Sequence, residues 1–123
     1  MIREIYQEYV RKWKDAIHKG GGFVDESWEL HFVEFNEEIV NKLDAPSAFE
    51  AIPEATQLVL EETDKYFCSV LLGLLHSLAS KSNTTEVPEK LAQSWDQLDS
   101  HISKYTEYQK NQLSDLKRWY RLR

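Results

Sequence analysis

Four histidines, one cysteine and two short runs of carboxylates carry what catalytic or metal-binding chemistry this sequence has, and their spacing decides which uses are open. His18, His31, His76 and His101 stand far apart, with no HxxxH, no HExxH and no cysteine pair nearby, so a metal site is not expected. A di-iron bundle needs Glu-x-x-His on two helices, whereas the positions three before the histidines hold Asp15, Trp28, Gly73 and Leu98. His76, in the most apolar stretch, reads as a hydrogen-bonded core histidine rather than a general base. Glu34, Glu37 and Glu38 fall within one helical turn, as do Glu61 and Glu62. Acid–base catalysis would need a pocket that shifts their pKa values, and a helix back lined with acids normally faces water. Cys68, inside Tyr66-Phe67-Cys68-Ser69-Val70-Leu71-Leu72, reads as a buried, inert thiol. Gly20-Gly21-Gly22 lacks the Lys-Ser/Thr of a phosphate loop, and no Gly-x-Ser-x-Gly is present. The chain is therefore not read as an enzyme, and no cofactor is expected.

Charge is the stronger signal. From Asp25 to Asp64 twelve acids face one base, Lys42, so the block carries −11 between flanks of +2 and +3, for a net charge of −6. A block this one-signed repels itself and steers basic partners toward it, although a solvated acidic surface is the plainer reading. The bases at Arg11, Lys12, Lys14 and Lys117 to Arg123 might suggest a nucleic-acid patch, but the net charge opposes it, and no direct nucleic-acid contact is expected.

These residues need a scaffold, and its periodicity is helical. With 41% hydrophobic and 12% aromatic residues in 123, the chain has enough apolar surface for one folded domain, residues 1–123. Ile2, Ile5, Tyr6, Tyr9, Val10, Trp13, Ala16 and Ile17 recur at helical spacing until the three glycines stop the pattern. Asp25 can cap a second helix striped by Trp28, Phe32, Phe35, Ile39 and Leu43. Pro46 is expected to end it, Ser47 and Glu50 have the spacing of a capping box for a short turn, and Pro53 is expected to start another helix over Ala55–Glu62. Thr63 or Asp64 can cap a helix from about Lys65 to Lys81, which is apolar nearly all round and so predicts a central element. Pro88 opens a seam of Leu91, Trp95, Leu98, Ile102 and Tyr105; the helix either runs to the end or breaks near Ser103–Thr106. The class is all-α, four to six helices in a bundle or stacked hairpins. The first residues contain no apolar leader, and Val70–Leu75 is far below the roughly 20 residues of a membrane span, so a cytoplasmic protein without membrane contact is expected.

The stretch from Thr63 to Pro88, in which Leu74-Leu75-His76-Ser77-Leu78-Ala79-Ser80-Lys81 leads into Ser82-Asn83-Thr84-Thr85-Glu86-Val87-Pro88, resembles small helical immunity proteins of bacterial contact-dependent inhibition and polymorphic-toxin systems. The resemblance implies a cytoplasmic antitoxin that binds the C-terminal toxic domain of a secreted effector, often a nuclease, and blocks its active site. Nuclease toxins are often basic, so an acidic inhibitor suits them. On this reading Glu26, Glu29, Glu34, Glu37, Glu38, Glu61, Glu62 and Asp64 form the leading contact surface, and the free protein is a monomer or dimer. The alternative is a non-catalytic adaptor that self-associates through the Leu91–Tyr105 seam.

Overall fold

The computed structural model describes residues 2–19 and 34–120, with side chains over 2–12 and 34–120. Among these residues it is all-helical: α1 (Ile2–Lys19), α2 (helical over 34–40), α3 (Ala45–Glu61), α4 (Lys65–Ser82), α5 (Glu89–Ile102) and α6 (Glu107–Trp119). The glycine stop, the Asp25 cap, and the side chains of Trp13, His18, Trp28, His31 and Phe32 lie outside the described residues.

Helix α4 is the central element that its composition predicts. Phe67, Val70, Leu71, Leu72, Leu74, Leu75 and Leu78 are all buried, and each such side chain contributes roughly 1.5–3 kcal/mol of transfer free energy. Asp64 starts the helix by accepting the N–H groups of Tyr66 and Phe67 at 2.9 and 3.2 Å, and Asn83 ends it in the left-handed region at φ 56°. Helix α3 packs on α4 and α5, and α6 packs on α4 and α5, which closes a four-helix ring built from the hairpins α3–α4 and α5–α6. Gln109 donates to the Lys65 carbonyl, Gln112 to the Ser69 carbonyl, and the Trp119 ring lies near His76, so α6 runs parallel to α4. Helix α1 packs against α3, while Phe35 and Ile39 of α2 are buried. Tyr9 lies between Phe35 and Phe67, with ring centroids 4.6 and 6.0 Å away.

Two boundaries differ from the sequence reading. Pro46 and Pro53 do not divide the third segment; α3 is continuous from Ala45, capped by Asp44 accepting from the Ser47 N–H at 2.9 Å rather than by a Ser47–Glu50 box. Ala48, Ile52, Ala55, Thr56 and Val59 form one buried stripe across Pro53, and that packing outweighs the missing hydrogen bond. The C-terminal seam breaks near Ser103–Thr106, where the Thr106 N–H donates to Gln109 Oε1 at 3.1 Å. Pro53→Ala is expected to stabilise the chain by about 1–2 kcal/mol, the helix-interior proline penalty less the freedom that proline removes from the unfolded chain. Chemical denaturation measures this; a loss of stability would show that Pro53 packing matters more than the hydrogen bond it forfeits.

Candidate functional site

The acidic block divides into carboxylates that hold the fold together and carboxylates that face outward. Helix α1 begins with orphan N–H groups and a positive dipole end, and three acids meet it. The Arg3 N–H donates to Glu54 Oε1 at 2.8 Å, the Arg3 guanidinium grips Glu61 with two bonds of 2.8 and 3.0 Å, and Tyr6 donates its hydroxyl to Glu62. The other Glu62 oxygen accepts the N–H groups of Thr63 and Asp64 at 2.9 and 3.0 Å. Asp44 and Asp64 cap α3 and α4. Of the residues expected to meet a partner, Glu61, Glu62 and Asp64 thus have their carboxylates engaged within the chain, Glu26 and Glu29 lie outside the described residues, and Glu34, Glu37 and Glu38 are exposed together on one turn of α2.

That turn borders a cleft of about 430 Å³ between α1 and α2. Buried Tyr9 and Phe35 and half-buried Ile5 make its floor; exposed Glu4 and Glu8 form one side, Glu34 and Glu38 the other, with Lys12 also on the lining. Tyr9 is only 7% exposed, its hydroxyl meets no hydrogen-bond partner, and burial pushes its pKa up to about 12. Sequence reasoning missed Glu4 and Glu8, although a signal was present: Glu4-Ile5-x-x-Glu8-Tyr9 and Glu34-Phe35-x-x-Glu38-Ile39 are the same pattern of acid then apolar residue, repeated four positions on. On two facing helices it buries one apolar stripe and leaves a carboxylate row on each side.

The remaining candidates are placed as follows. Cys68 is fully buried, and desolvation raises its thiol to about 12, so it is not a thiolate. His76 is half-buried beside Trp119, 6.5 Å between ring centroids, rather than enclosed in the core. His101 donates Nε2–H to the Glu62 carbonyl at 2.7 Å, since a carbonyl only accepts. Among the described residues no three His, Cys, Asp or Glu side chains come together as a metal site, and no helix is long and apolar enough to cross a membrane. Comparison with protein-family models, curated proteins and solved structures finds no match to this chain.

The three tyrosines of this region should separate by substitution. Tyr6→Phe loses a bond to a carboxylate and is expected to cost about 1.5 kcal/mol, the low end for a charged partner because Glu62 keeps some solvent. Tyr9→Phe and Tyr120→Phe remove hydroxyls without partners and are expected to leave thermal stability unchanged or raised; a drop in Tm for either would reveal a bond that this geometry lacks. The Arg3 guanidinium holds the Glu61 carboxyl below its ordinary value near 4.5. A lowered folded-state pKa means the contribution is present above about pH 4.5 and lost as pH falls through the lowered value. Acid titration of Tm is expected to be shallower in Glu61→Gln over that window, by a small amount because the pair is solvent-exposed.

Proposed function

We propose that this chain is a cytoplasmic immunity protein that neutralises the basic toxin domain of a bacterial competition effector, a nuclease being the class that best suits its charge. The observation that carries the reading is the outward acid turn of α2: after the fold engages Asp44, Glu54, Glu61, Glu62 and Asp64, the exposed Glu34, Glu37 and Glu38 still present three carboxylates side by side. A surface of this sign speeds encounter with a basic protein and competes for the groups that would hold a phosphate backbone. The mechanism is stoichiometric occlusion, so no catalytic residue is needed in this chain.

The self-associating adaptor has less support. Its seam would have to be available to a second copy, whereas Leu91, Leu98 and Ile102 are buried in the chain's own core and Trp95 and Tyr105 pack against it.

Affinity capture from the host, washed at low and then high salt, is expected to yield a basic polypeptide whose toxicity this chain abolishes one-to-one. Reversing Glu34, Glu37 and Glu38 to lysine is expected to preserve the helical spectrum and slow association by about tenfold or more at low salt. Unchanged association kinetics in the triple variant would remove α2 from the interface; recovery of this chain alone, as a dimer, would favour the adaptor.

A further inference from the structure

Three features of the α1–α2 cleft point to one kind of occupant. Its carboxylates run in two rows rather than converging, Glu4 and Glu8 on α1 and Glu34 and Glu38 on α2, each pair one helical turn apart. A divalent ion would need ligands gathered on a point, and no such group forms among the described residues. Rows favour a ligand whose positive charges are themselves spaced along a chain. The floor, with three large side chains in Ile5, Tyr9 and Phe35, favours an apolar group between those charges. The acids also remain exchangeable: the pairings of Glu8 with Arg11 and Glu38 with Lys42, the latter at 4.0 Å, join neighbours on one helix in open solvent, where ion pairs contribute little. Lastly, the floor residue Tyr9 keeps a buried hydroxyl without a partner, a group for which a guanidinium or ammonium would be a donor.

We infer that the cleft seats a cationic amphipathic segment of the protein partner, with arginine or lysine heads between the carboxylate rows and an apolar side chain on Ile5, Tyr9 and Phe35. This rests on the inhibitor reading and narrows it, because it adds α1 to the interface and makes the contact a buried anchor flanked by charge rather than charge alone. A polyamine matches the rows but leaves the aromatic floor without an apolar anchor, so the protein segment is the better occupant.

The test uses the isotope-labelled full chain and a synthetic helical peptide carrying one leucine face flanked by arginines one turn apart. Saturable amide shifts are expected over residues 4–12 and 34–38. Replacing the peptide's leucines by serine is expected to weaken binding at least about fivefold, as is Glu8→Gln/Glu38→Gln in the protein, whereas Glu50→Gln, an exposed acid outside the cleft, should leave affinity unchanged. The inference is overturned by shifts spread equally over Glu50 and the other acids, by spermidine or the serine peptide binding as tightly as the leucine peptide, or by no saturable shift at all. The two proposals fail separately. A captured toxin whose affinity ignores Glu8→Gln/Glu38→Gln sinks the cleft and spares the immunity reading; peptide binding in the cleft without any inhibited toxin does the reverse.

Discussion

Glu62 sits where α3 hands over to α4, and both of its polar ends are committed. Its carboxylate takes the Tyr6 hydroxyl from α1 and two N–H groups of its own turn. Its carbonyl takes His101 Nε2–H from the end of α5 at 2.7 Å and the Tyr105 hydroxyl from the α5–α6 turn at 3.0 Å. One residue thereby ties α1, the α3–α4 hairpin and the α5–α6 hairpin at the same end of the bundle. A half-buried carbonyl and carboxylate left without these partners would carry the desolvation cost of polar groups withdrawn from water, which makes the junction an all-or-none arrangement. The position of α1 follows from it, and with α1 the wall of the cleft.

The same junction explains how a segment of charge −11 folds without being forced apart. Glu54, Glu61 and Glu62 lie on or just after the last two turns of α3, and α1 answers them with a helix N-terminus, a guanidinium and a phenol. Asp44 and Asp64 satisfy N–H groups that a helix start leaves unpaired. The N-terminal helix is thus held as much by polar geometry as by apolar contact, its apolar share coming chiefly from Ile2, Tyr6 and Tyr9.

What the sequence revealed and what it concealed follow one physical division. The centrality of α4, the burial of Cys68 and the Asp64 cap were legible because each depends on a local run of residues and a short-range rule. The continuity of α3 through Pro53 was not, since the breaking tendency of proline is local while the stripe that outweighs it faces α4 and α5. Glu61 and Glu62 looked like surface acids because nothing in the sequence says that Arg3 and Tyr6, more than fifty positions away, will meet them. For the cleft, each half of the acid-apolar pattern is visible alone, but only the packing of Phe35 against Tyr9 brings the halves face to face.

The acids that remain outward work against the free chain. Glu34 repels Glu37 and Glu38 at three and four positions along α2, and Glu4 repels Glu8 on α1, each such pair destabilising its helix by roughly 0.2–0.5 kcal/mol. Arg11 and Lys42 offset part of this, but only through exposed neighbours. Helix α2 therefore depends on burying Phe35 and Ile39 rather than on its surface, and lysine at any of the exposed glutamates would ease the repulsion at no cost to the core. A surface arranged against its own helix has a physical use when a second molecule supplies the missing positive charge, because the repulsion relieved on binding then adds to the affinity.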